Sequence, residues 1–352
     1  MDERIAIAAR VRATESGAAV GPWTIEVYPT LRCNLDCGFC DTTERHRPAV
    51  AERDAAWWCA VVDEAADLGA RRILVLGGGE PLLAAATLPL MARAKARGLI
   101  GTLTTNGTRL DAAARDRLTT MGWDEVHVSV DGATAATHDA LRGKNGAFAR
   151  TITNVCHLRR VAGAPRLALH TVLTRKNVDE LAALAHLAHA LGAYRWELDA
   201  LVAYRPEQQA LALGPRERAR LPARIAAAQA LADRLGLETT LDRFGAPDAV
   251  DRGARTIAAG DGPVGPARAP CLRAWHHLVV DAAGVSAPCC VLSGTGDPVE
   301  AGALAGTWRG PALDAIRAGM REGRATARCA ECSENILAHE RSIRDRLPEA
   351  TA

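Results

Sequence analysis

The residues best suited to chemistry crowd near the start of the chain. Arg32 to Cys40 reads RCNLDCGFC, three cysteines spaced C-x3-C-x2-C directly after an apolar run. A structural zinc ion takes four protein ligands and needs a second pair near enough to close a tetrahedron. No such pair follows Cys33, Cys37 and Cys40. Three thiolates can instead hold three irons of a four-iron, four-sulfur cube, leaving the fourth iron open to a chelating small molecule, a variation on four-cysteine ligation. That reading accounts for the missing ligand. A second group, Cys271, Cys289, Cys290, Cys329 and Cys332, lies near the other end. CLRAWHHLVVDAAGVSAPCC (Cys271 to Cys290) reads C-x12-G-x4-C, with a DAAG turn between two strand-like runs, and C-x2-C follows a helical stretch around Leu313 to Arg321. Spacing alone leaves zinc and an iron–sulfur cluster open for this second group. Cys59 and Cys156 fall in helical segments and read as buried apolar residues.

The elements that must position these groups follow from periodicity. Short apolar runs alternate with longer helical ones, the pattern of βα units around a parallel sheet. Six strands are expected, at Trp23–Tyr28, Arg72–Leu76, Gly101–Thr105, Glu125–Val130, Arg166–Leu173 and Arg195–Leu201. Helices are expected over Asp54–Leu68, Asp111–Thr120, Ala147–Val161, Val178–Leu191 and Arg216–Leu235, among others. In the fourth strand, alternation sets Val126, Val128 and Val130 on one face and His127, Ser129 and Asp131 on the other. The sixth repeats this, with Trp196 and Leu198 opposite Glu197 and Asp199. A closed eight-stranded barrel fills its interior with branched apolar side chains. Six units with polar inner faces imply a partial (β/α)6 TIM barrel around a hydrophilic ligand, unless those residues simply face water at strand ends. His127, His170, Glu197 and Asp199 are the substrate candidates, and His170 reads equally well as a satisfied core histidine.

With these motifs in place, the chain resembles the radical SAM superfamily, whose C-x3-C-x2-C loop follows the first strand of a partial barrel and carries an aromatic before the last cysteine, here Phe39. The resemblance continues through GGGEPLL (Gly77 to Leu83), TTNG (Thr104 to Gly107), SVDG (Ser129 to Gly132) and HDALRG (His138 to Gly143), and covers residues 23 to about 205. Each tetrapeptide alone is weak. Their order, each at the carboxyl end of its strand where such sheets bind ligands, makes the pattern specific. The resemblance implies that Cys33, Cys37 and Cys40 hold a [4Fe-4S] cluster and that Gly78, Gly79 and Glu80 meet the amino group of S-adenosyl-L-methionine (SAM). It also implies that Asn106 and Ser129 lie near SAM and that Arg142 pairs with its carboxylate. The chemistry implied is one-electron cleavage of SAM to a 5′-deoxyadenosyl radical, which takes a hydrogen atom from the substrate.

Behind such a core, the second cysteine group resembles the Twitch domain, the short form of the SPASM extension. That implies a second, auxiliary [4Fe-4S] cluster on Cys271, Cys289, Cys329 and Cys332. The expected domains are an extension (1–22), the barrel (23–236), a Gly/Pro-rich linker (237–270) and the Twitch domain (271–352). Only 32 residues precede Cys33, too few for the winged-helix domain that many SPASM peptide maturases carry, which favours a polar small molecule such as an aminocyclitol or amino sugar. The expected reaction is hydrogen abstraction from a carbinol C–H, with the Cys290 thiol quenching the radical to give an epimer; alternatives are alcohol dehydrogenation with the auxiliary cluster as electron acceptor, and a peptide-modifying (RiPP) maturase. An electron donor such as flavodoxin or ferredoxin is implied.

Composition limits the remaining classes. With 48% hydrophobic and 24% charged residues the chain can bury a large core. Forty-three basic against 41 acidic residues, without a basic run interleaved with aromatics, give no reason to expect nucleic acid. The acidic start MDERIAIAAR lacks a signal-peptide core, and nowhere do about 18 uncharged apolar residues run together. A cytoplasmic protein is expected, where cysteines serve as metal ligands or thiols. A non-catalytic regulator with zinc at both groups is the reading from another class.

Overall fold

Helix α1 (Glu3–Glu15) leads into strand β1 (Thr24–Val27), and from there strands and helices alternate. The computed structural model describes residues 2–43, 49–203, 205–244, 271–324, 328–329 and 332–348. The linker expected at 237–270 lies outside these from residue 245 onward. After β1 come α2 (Ala55–Asp67), β2 (Arg72–Val75), α3 (Thr87–Ala96), β3 (Ile100–Thr105), α4 (Ala112–Thr120) and β4 (Glu125–Ser129). The series continues with α5 (Ala135–Arg142), α6 (Ala147–Arg159), β5 (Arg166–Leu173), α7 (Leu181–Ala190), β6 (Arg195–Ala200), α8 (Pro206–Gln209), α9 (Pro215–Leu235) and β7 (Glu238–Thr239). Strands β8 (His277–Val280) and β9 (Ser286–Ala287) and helices α10 (Leu304–Trp308), α11 (Pro311–Arg321) and α12 (Glu334–Arg344) complete the described chain.

Local chemistry sets these boundaries. The Asp54 carboxylate accepts from Trp57 N at 2.8 Å and Asp111 from Ala114 N at 3.0 Å, satisfying first-turn donors of α2 and α4. Helix α9 starts with proline at its first position and stops at Gly236 in the left-handed region.

All the described strands join one nine-stranded sheet in the order β7-β6-β5-β4-β3-β2-β1-β8-β9. Every pairing is parallel except β8 with β9, and the sheet is open. This is the expected partial barrel. Its outward face is apolar: Ile25, Val27, Val75, Val126, Val128, Trp196 and Leu198 are fully buried with Trp58, Leu90, Leu118 and Leu184 of the covering helices. The period-2 pattern of the fourth and sixth strands is therefore the barrel's own division between core and lumen.

Two features were not read from the sequence. The strand-like run after Cys271 is not a separate sheet: β8 pairs along β1 from Thr24 with His277 to Val27 with Val280. All four β1 residues are buried as a result. The N-terminal helix packs with C-terminal elements as well, Ile7, Ala8 and Val11 lying with Leu272, Ala274, Trp275, Met320 and Ile343. No described helix is long and apolar enough to cross a membrane.

Candidate active site

The cysteine loop is clamped between two loops that end strands or helices. On one side Gly79 N donates to Thr30 O and Glu80 N to Arg32 O, both at 2.8 Å, so the glycine loop runs along the backbone that enters the cysteines. A Cβ on Gly79 would sit 1.9 Å from Arg32 O, and one on Gly78 2.4 Å from Thr30 O. These glycines thus permit a backbone-to-backbone approach within the protein itself. On the other side, Asp36 N and Gly38 N donate to Arg142 O and Leu141 O at 3.0 and 3.1 Å, fixing the loop to the end of α5.

Glu80 holds the glycine loop to β3. It is 2% exposed; Oε1 accepts from Thr105 Oγ1 at 2.6 Å and Leu82 N at 3.2 Å, and Oε2 from Asn106 N at 2.8 Å. Burial raises its pKa against these hydrogen bonds. Asn106 continues the chain of contacts, donating from Nδ2 to Asn34 Oδ1 at 3.0 Å inside the cysteine loop. The polar groups at strand ends therefore brace the loop that carries the thiols.

Cys33, Cys37 and Cys40 line one cavity of about 420 Å³ together with Phe39, Gly77–Glu80, Asn106, Ser129 and Arg142. The six residues that the resemblance places at SAM, and Phe39, are thus brought around one space. Arg142 is buried there: Nε lies 2.5 Å from Asp131 Oδ2, Nη1 3.7 Å from Cys37 Sγ, and the guanidinium 5.4 Å from the Phe39 ring centroid. Burial raises the Cys37 thiol to about 12 as a free group, even with Arg142 beside it. Three soft thiols converging on a cavity, with a buried cation and amide and hydroxyl groups around it, fit a thiolate-held cluster and a zwitterionic ligand.

Of the four substrate candidates only Asp199 lines this cavity. His170 Nε2 lies 2.6 Å from Asp199 Oδ2. Burial works against its charge, but Asp199, with Glu197 and Asp131 behind it, outweighs burial and raises its pKa to about 9. Asp199 is thus half of an ion pair. Glu197 pairs with Arg195 at 2.9 Å, and His127 lies 3.4 Å from Glu125. One cavity residue and one residue behind it escaped the sequence reading. Ser333 lines the cavity from the C-terminal segment, and its neighbour Asn335 donates from Nδ2 to Asp199 Oδ1 at 2.6 Å and Leu198 O at 2.8 Å. No local motif marks either one.

The second cysteine group also assembles. Cys271, Cys289 and Cys332 interact electrostatically with one another, Cys332 with Cys329 and Cys290, and burial raises Cys271, Cys289 and Cys332 to about 12. Thiols from three segments thus lie within electrostatic reach of one another, although among the described residues no three metal-ligating side chains are close enough to hold one ion. Cys290 does not line the 420 Å³ cavity. It faces a neighbouring one of about 390 Å³, lined also by Tyr28, Leu31, Val50, Leu76 and Val291, and the two share Asp41, Thr42, Gly77 and Gly78.

An open parallel α/β sheet thus carries a three-cysteine loop clamped at its carboxyl edge, beside one cavity. Residues 27–188 match the model of the Radical SAM superfamily, and the chain carries a radical SAM domain. Such a domain implies SAM and one [4Fe-4S] cluster. The chain is 34% identical over 173 residues to an AdoMet-dependent heme synthase of Methanosarcina barkeri, 49% of each chain. It is 32% identical over 177 residues to a PqqA peptide cyclase of Gluconobacter oxydans, covering 50% of this chain and 49% of the relative. The chain spans about half the length of the curated relatives it matches. In fold it resembles Streptococcus suis SuiB bound to S-adenosylmethionine, with a TM-score of 0.63 at 16% identity over 86% of this chain and 67% of that one. Native anSMEcpe with bound AdoMet and Cp18Cys peptide matches with a TM-score of 0.56 at 15% identity, over 76% of this chain and 74% of that one.

Proposed function

We propose that the chain is a radical SAM enzyme that holds a SAM-binding and an auxiliary [4Fe-4S] cluster and modifies a peptide. The convergence of the three motif thiols with Gly77–Glu80, Asn106, Ser129 and Arg142 on one cavity carries the first part. Bound there, cluster and SAM supply one-electron cleavage and hydrogen-atom abstraction. The chain's residues hold the loop geometry, balance charge through Arg142 and Asp131, and exclude water from the target C–H. An auxiliary cluster fits Cys271, Cys289, Cys329 and Cys332, and a ferredoxin or flavodoxin is the fitting electron donor.

The substrate class departs from the aminocyclitol expected from sequence. The His170 cation neutralises Asp199, leaving less negative charge for an ammonium group than the residue types suggested. The adjoining cavity offers Leu31, Val50, Leu76 and Val291 to an apolar side chain. Peptide cyclases among the relatives, and peptide-bound SuiB and anSMEcpe among the fold neighbours, support the same reading. Epimerisation of a polar small molecule is the second reading, favoured by the Cys290 thiol beside the shared Gly77–Gly78 wall; dehydrogenation is its redox alternative.

The deciding experiment incubates anaerobically reconstituted protein with SAM, a reductant, peptides encoded beside the gene and a panel of aminocyclitols. A mass change in a peptide, with matching 5′-deoxyadenosine, is expected. Turnover of an aminocyclitol alone overturns the peptide reading; solvent deuterium in its product, lost in Cys290→Ser, then establishes the epimerase. A colourless protein with stoichiometric zinc removes both.

A further inference from the structure

Beneath the second cysteine group lies a buried set of charges that hydrogen abstraction does not use. Arg273, whose side chain is 11% exposed, directs Nη2 to Glu26 Oε2 at 3.3 Å and Nη1 to Glu340 Oε1 at 3.9 Å. Glu26 on β1 also accepts from Tyr28 Oη at 2.5 Å and lies 2.9 Å from His277 Nε2. Glu340 on α12 lies 3.2 Å from His276 Nε2. The backbone N–H of Arg273 donates to Cys271 Sγ at 3.4 Å. Its Nε is buried with no hydrogen-bond partner among the described residues. A buried donor left in this way costs about 1–3 kcal/mol, which calls for an acceptor at the site.

We propose that Arg273 is the fixed cation of the C-terminal cysteine group and raises the reduction potential of the cluster held there. The inference rests on the auxiliary-cluster reading above. A cube held by four thiolates is a net anion, and reduction adds a further negative charge. A buried guanidinium nearby favours the reduced state, because net charge and hydrogen bonds to sulfur set such potentials. The Glu26 and Glu340 carboxylates, 3.3 and 3.9 Å from its guanidinium, keep Arg273 a cation in this buried setting. Burial and Arg273 hold His277 near neutrality, with a pKa of about 4. Glu26 stays anionic, so Arg273 and Glu26 act on the cluster with opposite sign.

The test uses the full chain carrying Cys33→Ala, Cys37→Ala and Cys40→Ala, which leaves only the auxiliary cluster, and follows its reduction by EPR-monitored titration. Arg273→Met is expected to disfavour the reduced state about tenfold, equivalent to about 59 mV for a one-electron couple. Arg273→Lys keeps the charge and should recover most of the shift. Glu26→Gln removes an anion and should shift the potential upward, an opposite sign that general damage to the site does not produce. An unchanged potential in Arg273→Met with full iron, or Glu26→Gln shifting downward, overturns the proposal. If Arg273→Met loses its iron, Arg273→Lys and Glu26→Gln decide. A triple-cysteine variant that binds no iron refutes the auxiliary-cluster reading itself, and the proposal falls with it.

Discussion

Glu80 and His170 show how a residue's partners decide its part in the site. Glu80 reads from sequence as a carboxylate for an ammonium group, yet it accepts three internal donors. Glu80→Ala leaves those donors unpaired in a buried setting and is expected to cost about 3 kcal/mol, read from a denaturation midpoint, with loss of 5′-deoxyadenosine formation. Retained stability would return Glu80 to a purely ligand-facing role. His170 permits a pH test. Its folded pKa of about 9 lies above the ordinary 6.5, so the proton stabilises the native state. That contribution is fully present below pH 6.5 and is lost as pH rises through about 9, with a ceiling of about 3 kcal/mol. Wild type should therefore lose more stability between pH 6 and 9.5 than His170→Asn, and equal losses would place the titration elsewhere. Residue types were legible in the chain; these pairings were not, because Glu80 with Thr105 and His170 with Asp199 meet only when separate strands align.

At the level of elements, the strands and the cysteine loop were legible because their signals are local: period-2 alternation and short motifs at strand ends. The clamp on that loop was half legible. GGGEP marks a close approach but not what approaches, and Gly143 gives no hint that the Asp36 carbonyl lies beneath it. A Cβ on Gly143 would sit 2.0 Å from Asp36 O, at a backbone φ of +64° that L residues rarely adopt. Gly143→Ala should therefore displace the cysteine loop rather than unfold the barrel. The expected result is loss of about four of about eight irons and of SAM cleavage, with secondary structure by circular dichroism unchanged. Iron retained in full would show that the loop is held by its other side alone. Asn335 is the corresponding tie from α12 to β6, from Nδ2 to Leu198 O and Asp199. Nothing near C-x2-C in sequence points to a partner 136 positions earlier.

For the molecule as a whole, the sequence suggested an extension, a barrel and an appended domain in series, whereas the structure interleaves them. Strand β8 lengthens the barrel sheet beside β1, and α1 lies against the segment that carries Cys271. Such contacts are invisible to pattern reading because each joins residues more than 250 positions apart, such as Thr14 Oγ1 with Trp275 O at 3.3 Å. Val11 sits at the centre of this packing and is fully buried with Leu272 and Trp275 nearby in the same cluster. Val11→Asp would place a carboxylate there with no counter-charge, a cost of several kcal/mol that α1 escapes by undocking. The barrel keeps its own core, formed by different residues, so the damage should stay with the C-terminal elements. The expected variant holds about half the wild-type iron, still cleaves SAM, and fails to convert substrate. Iron analysis beside 5′-deoxyadenosine and product assays separates the outcomes. Loss of all iron would mean that the barrel and its C-terminal elements fold as one cooperative unit, whereas full iron and full turnover would make α1 dispensable to the auxiliary site.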